Sequence, residues 1–505
     1  MLSPAEDTSA EEAQNRRRTE VAGKARLIPP IMAGGIWITA AKVASQLSQI
    51  ATFLLAARVL SPAEFGLFAF VSAVAVLLVV VAEGGWAEFI MKASDDEDCF
   101  DQIVTITLLS GGLCTAAGVI AAATFYLLTG SGPQSSLLAL SSCWMLPAAL
   151  TTAFDGTLVV RGYLRQRAII RVVAELIGLG ATIALLYFNG HASALVISKI
   201  LCQIALLLAS VCLVARLPRL RLTKSVFADV MEFSRQIVGN RLVVFAGSYS
   251  GTLVVGGFLG IADAGYYRAA ERVVAAISEI LGEPTRSLSW VVLRRAYRQP
   301  DASGPDVARA SVRLLLVLLA VAAPMYLGLM QISDAVVRLA LGDVWMPAAS
   351  IIPFLCLRQL LLLPGYINEP LLSVVGQIKH RLPVTLFNVV VSLVVVVAFA
   401  RFGLWQLALA QCFTAGLALA TSIRLQSRFA GVNWLEILKG IVMLIAPPNL
   451  IMVVTVICIQ RQDLFGQMPW LVTTAFQVGV GTVVYGSVLA VAVQLNRRQR
   501  WMPLG

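Results

Sequence analysis

Histidine is almost missing from this chain: His191 and His380 are the only two among 505 residues, and each falls in a short connection between apolar stretches. A His-ligated metal site and histidine acid–base catalysis therefore have little to be built from. The eight cysteines are dispersed, seven of them (Cys114, Cys143, Cys202, Cys212, Cys356, Cys412, Cys458) inside apolar runs and none in a CxxC pair, so they read as small apolar fillers. No GxxxxGK[ST] phosphate loop occurs, which removes direct drive by ATP. Charge is scarce too, at 13% of residues, against 58% hydrophobic residues and a mean hydropathy of +0.82. That balance excludes a water-soluble fold. The acidic run Asp95-Asp96-Glu97-Asp98 reads as a solvated loop, not a metal cluster. No enzyme activity, metal or cofactor is expected.

What the chain does have is a succession of long apolar runs. A membrane-crossing helix needs about 20 apolar residues, and on that measure we read fourteen spans, including 34–58 (first), 65–91 (second), 236–258 (seventh), 264–293 (eighth), 348–376 (tenth) and 438–459 (thirteenth). The first thirty residues are polar and contain Arg, and the first apolar run exceeds a signal-peptide core, so 1–33 is expected to stay as a tail. Lys and Arg test the count independently, because they collect on the cytoplasmic side. With the N-terminus inside, the inside segments hold 27 of the 39 basic residues and the outside connections only Arg58, Arg338, Arg401 and Arg461. Both termini are then cytoplasmic. The net charge of +11 faces anionic headgroups, and no nucleic-acid partner is expected.

The sequence from Leu60 to Phe68 (LSPAEFGLF), between the first two spans, is echoed by Leu259 to Tyr267 (LGIADAGYY), between the seventh and eighth. Leu, Ala, an acidic residue, Gly and an aromatic residue recur at an offset of 199. The implied plan is an all-α polytopic membrane protein of two pseudo-symmetric six-helix lobes, 34–215 and 236–423, around a central cavity, joined by a basic linker at 216–235. A second linker, 424–437, leads to two further helices in 438–493 and a tail at 494–505.

The eighth span carries six charges, Arg268, Glu271, Arg272, Glu279, Glu283 and Arg286. At the helical turn angle they share roughly a third of the circumference. A stripe of this kind must face water or partner charges, so it is expected to line a cavity, although part of it can be ion pairing that joins helices. Arg358 stays open between pairing and function, while Lys199 and Arg313, near span ends, are expected to snorkel.

The segment Ala57–Ala69 (ARVLSPAEFGLFA) resembles the signature between the first two helices of the polysaccharide-transporter branch of the multidrug/oligosaccharidyl-lipid/polysaccharide exporter superfamily, the Wzx-type flippases. The connection Arg161–Arg171 (RGYLRQRAIIR) is similar to that family as well. The resemblance implies two bundles that open alternately to each side of the bacterial inner membrane. It also implies a lipid-linked oligosaccharide cargo, usually on undecaprenyl pyrophosphate, with membrane lipids, a polymerase and chain-length machinery as surroundings. Such a cargo needs cations for its phosphates. The candidates are Lys42, Arg241, Arg268, Arg272 and Arg286, with Gln46, Gln49, Ser248 and Thr252 as polar neighbours. Glu271, Glu279 and Glu283 are candidates to exchange H+ or Na+ during the cycle. Pro284, Pro364, Gly365 and Pro370 are candidate hinges, with Pro447-Pro448 a further weak point. Trp37, Trp86, Trp345, Trp405, Trp434 and Trp470 are expected at the interfaces. Alternatives are a lipid II-type flippase, an ion-coupled drug exporter, and a non-transporting scaffold of a polysaccharide assembly complex.

Overall fold

A computed structural model describes residues 37, 39–93, 97–216, 218–297, 304–461 and 469–499, with no strand among them. The first helices are α1 (39–59), α2 (Pro62–Glu83), α3 (Trp86–Ala93), α4 (Glu97–Thr129), α5 (Gly132–Ser142), α6 (Met145–Val160), α7 (Leu164–Asn189), α8 (Ser193–Val214), α9 (Lys224–Phe258) and α10 (Ile261–Tyr297). They are followed by α11 (Gly304–Gln331), α12 (Ser333–Ala340), α13 (Met346–Ala349), α14 (Ile352–Leu362), α15 (Asn368–Val374), α16 (Arg381–Phe399), α17 (Leu404–Ala430), α18 (Trp434–Gly440), α19 (Ala446–Arg461) and α20 (Trp470–Gln499). Helices are what hydrocarbon demands, since each satisfies its own backbone polar groups.

Among the described residues, eleven helical segments are long and apolar enough to cross a membrane, and a pair bent by 44°, Asp343–Ala349 with Ile352–Val374, makes a twelfth. The two other predicted spans, α1 and α10, are helical but more polar. The predicted tail 1–33, residues 500–505, the loop residues Asp95 and Asp96 and the Glu283 side chain lie outside the described residues. Helix α20 runs to Gln499, past the predicted span end at 493.

The chain divides into two compact units, Met1–Leu55 with Ala75–Gly239 and Ala56–Val74 with Asn240–Gly505. In the first unit Trp86, Ile90, Phe100, Ile103, Phe154 and Leu158 form a core. The second predicted span is broken there at Gly84-Gly85, whose φ values of +50° and +83° end α2 and start α3. Trp86 follows directly, 2% exposed, and its indole N–H donates to the Ala82 carbonyl at 2.7 Å. The Arg167 guanidinium grips both oxygens of Asp155 at 2.5 and 2.6 Å, and Arg216 pairs with Asp101 at 3.0 Å while covering the Phe100 ring.

In the second unit Leu293, Leu315, Ile367, Leu371, Ile437 and Ile445 form the core. The tenth span is interrupted by a 3₁₀ turn, Leu363–Ile367, that contains Pro364 and Gly365. Gln426 of α17, fully buried, donates to the Pro364 carbonyl at 2.9 Å and to Asn368 Oδ1 at 2.7 Å, and Asn368 in turn donates to Ser422 at 3.0 Å. Pro370 is the third residue of α15. A π-helical turn, Ile441–Ile445, precedes Pro447-Pro448, and the Asn449 side chain donates to the Ile445 carbonyl at 2.7 Å.

The internal repeat has a direct structural meaning. Ser61 and Glu64 form a reciprocal cap at the start of α2, and Asp263 occupies the first turn of α10, each acid favoured by the helix dipole. The two helix starts then cross at Gly66 and Gly265. A Cβ on Gly66 would stand 1.8 Å from the Ile261 carbonyl oxygen, and one on Gly265 would stand 2.1 Å from that of Pro62. Trp345 fills the corner, packed edge-on against Phe65 and Tyr266, with its indole N–H donating to Ala57 O at 2.8 Å. At 1% exposure it is core, so Trp345 and Trp86 are not the interfacial anchors that tryptophan statistics predict. Arg58 donates to the carbonyls of Leu339 and Ala340, closing the C-terminal end of α12.

Candidate functional site

Helix α10 holds the charged stripe because it can pair most of its own charge. Arg268 Nη1 lies 3.2 Å from Glu271 Oε2, a one-turn pair, and Arg272 Nη1 lies 2.8 Å from Glu279 Oε1, two turns away. The Arg268 guanidinium also covers the Tyr249 ring of α9 at 5.0 Å, and Tyr249 stacks on Phe245. The buried Tyr267 hydroxyl donates to Glu271 Oε1 at 3.0 Å and accepts from Gln411 Nε2 of α17 at 2.8 Å. Gly251 leaves room for that ring: a Cβ there would meet the hydroxyl at 2.4 Å. Arg358 of α14 completes the cluster, with Nη1 3.8 Å from Glu271 Oε1.

These groups line a cavity of about 310 Å³, formed by Gly247 and Ser248 of α9, Arg268, Glu271, Arg272, Val274, Ala275 and Glu279 of α10, and Leu355, Arg358 and Gln359 of α14. Three guanidinium groups face two carboxylates, so the cavity carries one cation in excess. In a half-buried setting this arrangement attracts an anionic group, and arginine suits one with several oxygens. Glu271 is held through both oxygens, whereas Glu279 Oε2 is buried without a hydrogen-bond partner among the described residues.

The stripe thus both pairs and lines, and the predicted Arg268, Glu271, Arg272, Glu279 and Ser248 come together. Arg286 is exposed farther along α10, Arg241 is half-buried on α9, and Thr252 is fully buried; among the described residues, none of the three lines this cavity. Lys42 and Gln49 are exposed and Gln46 half-buried on α1, in the first unit. Helix α10 continues through Pro284 without interruption. Arg358 takes its place in the site, and Tyr267, Gln411 and Gln359 were not expected there. The signal available for Arg358 is an arginine within a predicted span that also contains three prolines.

The model of the polysaccharide biosynthesis protein family matches residues 55–350. The chain is 24% identical over 344 residues to the succinoglycan biosynthesis transport protein ExoT of Rhizobium meliloti (strain 1021), a match covering 68% of each chain. Among solved structures it is similar to a lipid II flippase MurJ in an inward closed conformation, with a TM-score of 0.69 and 16% identity over 92% of this chain and 99% of that one. An inward-facing multidrug resistance MATE family transporter of the MOP superfamily gives a TM-score of 0.59 and 14% identity over 77% of this chain and 95% of that one.

Proposed function

Because the chain belongs to the polysaccharide biosynthesis protein family and is a multi-pass membrane protein with a transporter fold, we propose that it is a flippase for a lipid-linked oligosaccharide. Its cargo is a glycan on a polyprenyl pyrophosphate, moved from the cytoplasmic to the outer leaflet of the inner membrane for surface polysaccharide synthesis. The observation that carries this reading is the cavity in which Arg268, Arg272 and Arg358 outnumber Glu271 and Glu279. A pyrophosphate needs such a cation excess, whereas a pump for cationic drugs needs the reverse. The transport named for the succinoglycan relative and the lipid II named for the MurJ structure point the same way. A scaffold has no use for a charged cavity within its membrane helices.

The test is a deletion strain rescued by wild type or by the double variant R268A/R272A, with surface polysaccharide and lipid-linked intermediates measured together. We expect loss of surface polymer with intermediates held in the inner leaflet, restored by wild type and not by the variant. Normal polymer in the deletion strain, with no trapped intermediate and no second transporter, overturns the reading in favour of an exporter.

A further inference from the structure

Glu271 and Glu279 face the same cavity but are held differently. Each oxygen of Glu271 has its own partner, Tyr267 on one side and Arg268 on the other. Glu279 is tethered through one oxygen alone, to Arg272, while Oε2 is buried and unpaired among the described residues. A half-satisfied carboxylate is the cheaper one to displace. The Arg272–Glu279 pair also has an unusual span. Side-chain pairs on a helix ordinarily join neighbours three or four residues apart; this one reaches seven, about 10 Å along the axis. The residues beneath the arch are Ala275 and Ala276, so nothing larger than a methyl group lies between the two charges on that face.

We propose that Glu279 is an internal stand-in for the cargo's phosphate. In the empty protein its carboxylate occupies Arg272. When the cargo arrives, a phosphate oxygen takes that place over Ala275, and the displaced carboxylate takes up one proton from solution and stays in the cavity as the neutral acid. One O–H bond forms at Glu279 as one breaks in the hydronium or buffer acid that supplies the proton, leaving water or the buffer base, and the cavity's excess rises from one positive charge to two as the anion enters. Release runs the swap backwards: Glu279 loses the proton, regains Arg272 and expels the phosphate. Glu271 does not take part, because Tyr267 and Arg268 hold one oxygen each and Arg358 stands beside it. Among the described residues of this unit, the titratable and charged groups around Glu279 are Arg268, Glu271 and Arg272 of α10, Arg358 of α14, and the Tyr326 and Tyr366 hydroxyls at the neighbouring Ser278. The proposal rests on the reading of the cargo as a phosphate-bearing anion.

The experiment uses the purified full-length protein in neutral-lipid nanodiscs, titrated with inorganic pyrophosphate by calorimetry in two buffers of different ionisation enthalpy. The probe's own protons are common to every variant, so differences report the protein. E279Q is expected to bind roughly tenfold tighter than wild type, since no charge-assisted bond is lost on binding. It should also take up about one proton fewer per pyrophosphate. E279A must move the same way, which separates loss of the carboxylate from a local effect of the amide. Equal affinity and equal proton uptake in wild type, E279Q and E279A overturn the stand-in. R272A separates the two levels of inference. If it binds pyrophosphate like wild type, the cavity is not the anion site and the flippase reading fails with it; if R272A loses binding while the Glu279 variants match wild type, only the stand-in fails.

Discussion

Replacing Gly66 or Gly265 with alanine tests whether the internal repeat exists to let two helix starts cross. The added methyl of G66A would lie 1.8 Å from Ile261 O and 2.7 Å from Gly265 N, and that of G265A would lie 2.1 Å from Pro62 O and 3.1 Å from Gly66 N. All four neighbours are backbone, so no side chain can rotate away and the helices themselves must part. Overpacking of this kind costs about 1–3 kcal/mol, and the rigid neighbours place each variant toward the upper end. The intrinsic helix preference for Ala over Gly returns only about 1 kcal/mol. Gly416, inside α17 with open space around it among the described residues, is the control, and G416A should gain about 0.5–1 kcal/mol. Once one methyl has parted the helices, the second enters space already opened, so G66A/G265A should cost clearly less than the sum of the singles. Half-inactivation temperatures of detergent-solubilised protein, read as loss of the monodisperse size-exclusion peak, rank the variants without assuming reversible unfolding. The expected order is G416A above wild type, and wild type above either glycine variant. Single variants as stable as G416A, or fully additive losses, refute the crossing.

Three further outcomes follow from buried groups. Y267F leaves Gln411 without its hydroxyl partner and frees Glu271 Oε1 on one side, and the same thermal assay should register a loss of about 1–3 kcal/mol, with weaker pyrophosphate binding through a looser Arg268. Q426L removes both donations that seal the 3₁₀ turn, at about 1–3 kcal/mol for the orphaned groups; an unchanged inactivation temperature would mean that the turn holds itself. W345A empties the corner between Phe65 and Tyr266 and should cost about 3–5 kcal/mol, whereas W405A, at an exposed tryptophan on α17, should change stability by less than about 1 kcal/mol.

Much of the molecule is legible in sequence because the bilayer imposes so few solutions. Apolar runs become helices, and charges inside one of them announce themselves as the α10 stripe. The short repeat was visible as letters, but its purpose was not, because a glycine's value here lies in the backbone of a helix 199 residues away. Arg358 escaped firm assignment for a similar reason: its approach to Glu271 depends on how α14 packs against α10, which no local pattern encodes. Tyr267 and Gln411, 144 residues apart, form a pair that only tertiary structure defines. Gly84-Gly85 did carry a local signal, and the apolar run around it masked the break. Tryptophan's preference for interfaces describes a population; Trp86 and Trp345 instead follow from the shape of the space around them.

The seal on the interrupted tenth span also sets an order of events during synthesis. The turn around Pro364 and Asn368 enters the membrane first, and the amide that donates to both belongs to Gln426, 62 residues after Pro364 in the chain. At about 5–20 residues per second, the ribosome takes roughly 3–12 s to deliver that partner. Through this interval the Asn368 side chain lacks both of its α17 partners, Gln426 and Ser422, and hydrocarbon offers it none. The segment must therefore wait beside water, or against the insertion machinery, until α17 arrives, and any factor that shields it in those seconds acts on the nascent chain rather than on the finished transporter.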